Sequence, residues 1–593
     1  MKAYLERQLR EVLASIDGVP NDFEPVVERP ANPEHGDLST NTAMRLARHL
    51  RRAPRQIAED LAQRLRDKPV DPDRIAAIEV AGAGFLNVRV ADTYFYKALA
   101  DLLAAGDDYG RTDAGQGRRA LVEYISANPT GPLTVGHGRN AVLGDTIANL
   151  LDWTGHDVTR EYYFNDAGRQ MRVLGESVRA RYHELLADED MEPYLDLDGG
   201  REDLWMNHLE TYDTKDIVLE DGSVMEVPAL FPYNEDDPKD HGYLGEYIYD
   251  IARGLIDTHG LDLLGTSDVE PFKKAAEDAI FADIDATLRR LGIEMDTHFN
   301  EYSLYESNAV WNVLDAMRKK GYVYDRDGAV WFKTTAFGKE KDTVLVKQSG
   351  EPTYRLPDIA YHKDKLDRGF DVIIDVFGAD HIATYPDVQR GISVLGYDGD
   401  RIEVIIYQFV TLVRGGEEVK MSTRKATFVT LDELMDEVGE DVTRFFFLMR
   451  SAHTHLEFDL DLAKEAGDKN PVFYLQYAHA RVHQILHKAE EVGFVFGDAP
   501  DLSLLRHASE IALIKELLHF PEMLQQIAAA REPHRLASYL REVAVAFSQF
   551  YRDCHIIGEE RALATARMIL AKAARIVLRN GLAVLGISAP ERM

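Results

Sequence analysis

Two short segments hold residue types suited to phosphate chemistry. The first comprises Ala127, Asn128, Pro129, Thr130, Gly131, Pro132, Leu133, Thr134, Val135, Gly136 and His137. A strand-like run, ALVEYIS, precedes it. A helical stripe of Val142/Leu143, Thr146/Ile147 and Leu150/Leu151 follows. Gly131, Gly136 and Gly138 permit backbone to approach a ligand closely. The start of the following helix offers unpaired N–H groups and a positive dipole end to an anion. His137 stands beside that start, able to donate a hydrogen bond to phosphate. The second segment is EEVKMSTRKATFVTLDEL, in which Lys420 and Arg424 place two cations in one loop. Two such cations suit a clamp on a departing pyrophosphate, whose charge grows during displacement at an α-phosphorus. Taken singly, each segment also admits a plainer reading: a tight turn with a surface histidine, and a basic turn on an acidic protein. Thr430-x-x-Glu433 has the spacing of a capping box that opens the next helix.

Strand, Gly/Pro loop and helix in that order begin a nucleotide-binding α/β unit. FDVIIDVFG and RIEVIIYQFVTLV read as further buried strands, and VLVK and PTYR as strands about the turn QSGE. Residues 1–112 alternate helical and strand-like patterns, punctuated by Pro20, Pro30, Pro33 and Pro54, and end in a polar linker. Residues 188–240 are acidic and irregular, the character of a surface insertion. Beyond Gly439 the pattern is helical to the end; Leu563, Ala566, Leu570, Ala573 and Val577 mark one helix. The expected fold class is multidomain α/β. An N-terminal α+β domain covers 1–112, a doubly wound Rossmann-type domain 113–465, and an all-α bundle 466–593.

A chain of 593 residues with 45% hydrophobic and 28% charged residues is ordinary globular material and excludes global disorder. The single cysteine, Cys554, rules out an intrachain disulfide and a Cys-rich zinc site. The first residues lack the apolar run of a signal peptide; Leu5, Leu9, Leu13 and Ile16 recur at helical spacing instead. No apolar stretch approaches the ~20 residues of a membrane helix. The chain therefore reads as soluble and cytoplasmic. The net charge of −33 alone argues against a nucleic-acid partner. It also fits a protein adapted to molar salt, where screening shortens to ~3 Å and a carboxylate-rich surface stays hydrated. The plain alternative is an acidic mesophilic protein. The acid is not spread evenly. Residues 471–593 hold 14 Lys and Arg against 13 Asp and Glu, while the rest of the chain holds 54 against 88. A surface kept free of carboxylates is one suited to meet phosphates.

The two segments together resemble the HIGH and KMSKS signatures of class I aminoacyl-tRNA synthetases. Thr134–His137 stands for the first, and Lys420, Met421, Ser422, Thr423 and Arg424 for the second. More specifically, the chain resembles the arginyl-tRNA synthetase family from end to end. SANPTGPLTVGHGRNAVLGD, PTYRLPDIAYH, FGADH, KMSTRK, LQYAHAR and LRNGLAVLGISAPERM occur in the family's order, preceded by HGDLSTN and GAGFLNVRV. Thr134 replaces the first histidine of HIGH and Thr423 the second lysine of KMSKS, so Arg424 is the candidate for the missing cation.

The resemblance implies ligation of L-arginine to its tRNA through an adenylate, with ATP as substrate, Mg²⁺ accompanying ATP, no zinc, and a monomeric protein. It implies catalytic roles for Thr134, Gly136, His137, Lys420 and Arg424. It implies ATP contacts at Gly136, His137, Asp380, His381, Lys420, Met421 and Ser422. The arginine pocket would use Glu123, Asn128, Tyr354 and Asp358, since Glu123 lies five residues before Asn128 and Tyr354 four before Asp358. A guanidinium taken out of water needs pairing, and planar carboxylates meet it bidentately. A structural reading stands beside this: Glu123 in a buried polar network and Asp358 as a helix cap. Phe85 and Asn87 in the N-terminal domain, and Tyr477 and Arg481 in the helical domain, would contact tRNA. Gln408 reads as a packing residue. Two other functions fit the same residues: another class I adenylate-forming enzyme, and a non-catalytic tRNA-binding paralogue.

Overall fold

A computed structural model of the chain describes every residue except 31, 69–70, 167, 220–221, 236–240, 420–429 and 498–499. The N-terminal part contains α1 (Lys2–Leu13), β1 (Leu38–Thr40), α2 (Thr42–Leu50), α3 (Pro54–Asp67), β2 (Ile75–Ala81) and β3 (Phe85–Val90). Its strands pair antiparallel in the order β1–β3–β2. Leu5, Leu9 and Leu13, the helical repeat of the sequence, are buried against Leu61 and Leu65 of the same core. Helix α4 (Asp92–Ala105) then leads to the opposite end of the chain, where the Tyr96 hydroxyl donates to the Leu505 carbonyl at 3.0 Å.

The middle of the chain is built on five parallel strands. They are β4 (Arg119–Glu123), β5 (Asp157–Phe164), β6 (Thr297–Asn300), β10 (Val372–Gly378) and β11 (Ile402–Tyr407), in the order β11–β10–β4–β5–β6. The β-branched runs of the sequence lie here because both faces are covered: Leu121, Val122, Ile373, Ile374 and Val376 are buried. The chain runs outward from β4 through β5 to β6, then returns to β10 and β11 on the other side. The switch point lies between the carboxyl ends of β4 and β10, where α/β sheets bind ligands. Helix α5 (Val135–Trp153) follows β4 and is buried almost all round. Helices α6 (Arg169–Leu186), α7 (Glu246–His259) and α8 (Glu270–Arg290) pack together between β5 and β6. A small antiparallel sheet of β7 (Val323–Arg326), β8 (Ala329–Phe332) and β9 (Thr343–Val346) precedes α9 (Arg355–Asp367), and α10 (Tyr385–Leu395) lies between β10 and β11.

The C-terminal bundle consists of α11 (Pro471–Glu491), α12 (Ala508–Leu517), α13 (Phe520–Ala530), α14 (His534–Asp553) and α15 (Arg561–Val584). Ala566, Leu570, Ala573 and Val577 are buried on α15. Buried Arg444 joins the bundle to the sheet domain: it reaches Asp145 on α5 at 2.5 Å and the Leu585 carbonyl at 2.9 Å. No helix among the described residues is long and apolar enough to cross a membrane.

Local expectations change in several places. RIEVIIYQFVTLV splits between β11 and a strand, Val410–Arg414, of a separate sheet, where it pairs with Leu456–Asp459, so the chain beyond Gly439 is not helical throughout. The acidic stretch 188–240 is not simply irregular: it contains a helix, Arg201–Thr211, and a hairpin, Thr214–Val218 with Val224–Pro228. A few apolar anchors, Ile217, Val227 and Phe231, bury against Ala180 and order it despite the surrounding carboxylates. PTYR is not a strand. Lys347 N–H to the Glu351 carbonyl (2.8 Å) and Thr353 N–H to the Leu345 carbonyl (2.8 Å) close the turn. Tyr354 then starts α9, for which Pro357 in the first turn is well suited.

Candidate active site

A cavity of about 500 Å³ opens at the switch point. The exit from β4 is unusual. Ile125 (φ 70°) and Ser126 (φ 43°) both take left-handed backbone, a costly conformation for a β-branched residue. Asn140 on α5 holds this turn, accepting from Ile125 N–H at 2.8 Å and donating to the Val376 carbonyl at 3.0 Å. The turn brings Ser126 Oγ to Glu123 Oε1 at 2.8 Å.

The loop then reaches α5 with Thr134 as N-cap. Thr134 N–H donates to His137 Nδ1 at 3.2 Å, so Nδ1 is an acceptor and Nε2 carries the ring proton. Burial lowers the His137 pKa, favouring this neutral form. The ring lines the cavity as a hydrogen-bond donor. Of the three loop glycines, Gly136 is the open one: among the described residues a Cβ there would meet only Thr134 Oγ1, at 3.8 Å, which leaves room for a ligand. A Cβ at Gly138 would lie 2.5 Å from Leu431, so this glycine serves packing instead. Lys420, Met421, Ser422, Thr423 and Arg424 lie outside the described residues. Thr430, which follows that segment, pairs with Thr134, and Leu431 N–H donates to the Leu133 carbonyl at 2.8 Å. The capping box is present, with Thr430 N–H to Glu433 at 2.8 Å and Glu433 N–H to Thr430 Oγ1 at 3.0 Å.

Glu123 borders the cavity but is already engaged. Lys365, fully buried, donates to Glu123 and to Asp375 Oδ1 at 2.6 Å; His362 Nε2 lies 2.9 Å from Asp375 Oδ2. Burial raises the Glu123 pKa against the pull of Lys365. In Asp375 burial acts the same way but is outweighed by Lys365 and His362, which hold it low. Glu123, His362 and Asp375 are close enough to share a metal ion. The Lys365 ammonium occupies that role, so the donor set does not fit a metal as well.

Beside this closed network is an open acidic lobe. Asp358 lines the cavity and has no hydrogen-bond or ion-pair partner for its carboxylate among the described residues; burial raises its pKa. Glu301, from the turn after β6, accepts from the Tyr163 hydroxyl and from Asn165 Nδ2 at 3.0 Å. Burial, with Asp358 adding to it, pushes Glu301 up to about 7. Asn165 Oδ1 is buried without a partner. Among the described residues the lobe therefore presents acceptors and negative charge, while its donors, the Tyr163 hydroxyl and Asn165 Nδ2, are already given to Glu301. Tyr354 stands at its rim, 69% exposed. Asn128 lines the same cavity and donates to Gln170 at 2.8 Å.

The comparisons with known proteins match this architecture. The family model for the class I (R) tRNA synthetase catalytic domain matches residues 98–227 and 259–449. The arginyl-tRNA synthetase N-terminal domain matches 3–90, and the DALR anticodon-binding domain 475–593. An arginine–tRNA ligase of Salinibacter ruber is 61% identical over 593 residues, covering 100% of both chains. The chain belongs to the arginyl-tRNA synthetase family. A second such ligase, from Desulfotalea psychrophila, is 47% identical over 96% of this chain and 94% of its own. The solved arginyl-tRNA synthetase of Thermus thermophilus shares the fold, with a TM-score of 0.70 at 23% identity and full coverage of both chains.

Within this synthetase-family chain, Glu123, Asn128, His137, Tyr354, Asp358, Asp380 and His381 converge on one cavity. His381 stacks on Phe377 at 5.0 Å, with Asp380 3.6 Å away. Gln408 is outside the lining; its carbonyl accepts from Arg139. Glu301 and Lys365 escaped the sequence reading. Neither sits in a motif, and Lys365 lies in HKDKLDR, which reads as a solvated helix face.

The expected tRNA contacts divide. Asn87 shares a face of β3 with exposed Phe85 and Arg89, yet it is buried there, accepting from Ser39 Oγ of the adjacent strand at 2.8 Å, which argues against a base contact. Phe85 is 40% exposed. Tyr477 and Arg481 meet on α11, with Arg481 Nη2 2.8 Å from the Tyr477 hydroxyl and its guanidinium 5.1 Å from the Tyr551 ring. Arg481, Lys488, Tyr551, Arg552 and His555 line a basic cleft of about 520 Å³.

Proposed function

We propose that this protein ligates L-arginine to its cognate tRNA. The observation that carries the reading is the open lobe of Asp358, Glu301 and Asn165, where only acceptors await a ligand. A guanidinium supplies five donors and a permanent charge in one planar group. The arginine carboxylate attacks the α-phosphorus of ATP, and pyrophosphate leaves; the 2′-hydroxyl of the terminal adenosine then attacks the adenylate carbonyl, and AMP leaves. Positioning and charge stabilisation supply the catalysis, without an enzyme nucleophile. His137 Nε2–H, Gly136 and the α5 N-terminus meet the phosphates, Lys420 and Arg424 the departing pyrophosphate, and Asp380 and His381 the adenosine side. Asn128 orients the amino acid, and Glu123 is the wall held by Lys365. Mg²⁺ arrives with ATP. Residues 113–465 do the chemistry in the cytoplasm, while 1–112, through Phe85, and 466–593, through the Tyr477/Arg481 cleft, hold tRNA. AMP release tests the reading: it should require arginine, ATP and tRNA together. Release driven by another amino acid would move the assignment to that substrate.

Arginine binding should depend on pH through Glu301. In the free protein this carboxyl is half-protonated near pH 7. A guanidinium favours the carboxylate, so binding expels the proton. KM for arginine should therefore rise as pH falls below about 7, by up to about tenfold per unit, and level off above it. Kinetics from pH 6 to 8.5 would reveal this, and Glu301→Gln should flatten the profile. A pH-independent KM in the unsubstituted protein contradicts the role given to Glu301.

Lys420→Ala should lower kcat more than it raises KM, because its cation is needed as pyrophosphate charge develops. An unchanged single-turnover rate would move that role to Arg424. The charge of −33 further predicts salt-dependent stability. Melting temperature should climb from about 0.1 M to about 3 M KCl as carboxylate repulsion is screened. A flat or falling curve would leave an acidic protein without salt adaptation.

A further inference from the structure

Asp387, on the first turn of α10, is 1% exposed and gathers three cations. Lys339 Nζ lies 2.5 Å and Arg355 Nε 3.2 Å from Oδ2, and Arg390 Nη1 2.8 Å from Oδ1. Thr343 Oγ1 completes the set at 3.1 Å. Among the described residues, none of the three cations has a second carboxylate within ion-pair distance. A buried carboxylate is neutralised by one of them; the other two add mutual repulsion that structure alone does not require. All three side chains remain about one-third exposed, at 32%, 28% and 28%.

Their place gives the surplus charge a use. Arg355 lines the cavity, as do Thr384 and Tyr385 at the start of α10. Lys339 lies in the connection between β8 and β9 of the small sheet. Residues 318–347, which build that sheet, hold eight Lys and Arg against four Asp and Glu, on a chain with net charge −33. The segment that carries Lys339 is thus basic on an acidic chain. We propose that Lys339, Arg355 and Arg390, tethered by Asp387, seat phosphodiester groups of the 3′-terminal single strand of tRNA as it enters the cavity. The proposal rests on the ligation reading above. ATP is the other source of phosphate, but its phosphates are assigned to the Thr134–His137 turn, which contributes nothing to this cluster. A strand arriving from outside needs cations beside the cavity mouth, and Arg355 in the lining joins Lys339 and Arg390 through Asp387. Tethering by Asp387 fixes the cations before the strand arrives and reduces the ordering cost of binding, and the free guanidinium N–H groups suit phosphate oxygens.

Lys339→Gln with Arg390→Gln tests the proposal, since neither residue lines the cavity. Binding is measured with 5′-labelled cognate tRNA, intact or lacking its last three nucleotides, over a range of KCl. The double variant should bind intact tRNA about tenfold more weakly, with a salt slope shallower by about 1–2. It should bind trimmed tRNA as the unsubstituted protein does. Equal weakening on both tRNAs, or none on either, overturns the proposal. So does a raised KM for ATP with tRNA affinity intact, which would identify ATP as the phosphate source. If circular dichroism shows the double variant unfolded, Lys339→Gln alone should give about a threefold loss confined to intact tRNA, and no such loss overturns the proposal. An unsubstituted protein that binds neither tRNA contradicts the ligation reading and the proposal with it.

Discussion

Asp358→Asn is expected to abolish most arginine use while leaving ATP binding almost untouched. The carboxylate faces the cavity without a partner, so its charge is available to a guanidinium. Removing one member of a desolvated charge pair costs about 2–5 kcal/mol, or at least about thirtyfold in kcat/KM for arginine. The amide keeps the size of the side chain, so the lobe should retain its shape. Steady-state aminoacylation with arginine and ATP varied separately gives the answer. Near-normal arginine kinetics would remove Asp358 from the pocket.

The largest effect on stability is expected at Lys365. Lys365→Met leaves Glu123 and Asp375 buried without their shared cation. Breaking a buried pair in this way costs about 3–5 kcal/mol. All four tryptophans, Trp153, Trp205, Trp311 and Trp331, lie within residues 113–465, so their fluorescence reports on the affected domain. The urea midpoint followed by that signal should fall sharply. Adding Glu123→Gln and Asp375→Asn to Lys365→Met should recover part of the loss, because neutral groups cost less to bury than unpaired charges. A midpoint unchanged by Lys365→Met would mean that the ion pairs contribute little to stability. Glu123→Gln alone strands part of the Lys365 charge and should therefore appear in stability as well as in arginine kinetics.

What the sequence made legible follows from the range of the interactions involved. The Leu5–Leu13 repeat, the α5 stripe and the Thr430–Glu433 capping box depend on spacing within a few residues. The structure reproduces all three. The motif residues around the cavity were singled out through the family resemblance, whose offsets tie Glu123 to Asn128 and Tyr354 to Asp358. Glu301 was not, because its meaning depends on β6 lying two strands from β4 and bringing its carboxyl toward Asp358. Lys365 was hidden for a similar reason. A lysine amid charged neighbours reads as exposed until β4 and β10 bring two carboxylates to it. Asn87 differs in the opposite sense: it shares a face of β3 with exposed Phe85, and only Ser39 on the paired strand, distant in sequence, covers it. In the acidic insertion, a few buried apolar residues ordered a hairpin that composition obscured.

Ligation of arginine as proposed requires the acidic lobe to select a guanidinium. Charging of cognate tRNA with labelled arginine, lysine or citrulline tests it most directly. Citrulline keeps the shape of arginine but replaces the charged fork by a neutral urea. Lysine keeps the charge but loses the planar fork. Arginine should be charged efficiently and each of the others at least about a hundredfold more weakly, since a site built to pair charged donors rejects an analogue that leaves its buried groups unpaired. Charging with citrulline at a rate comparable to arginine would contradict it.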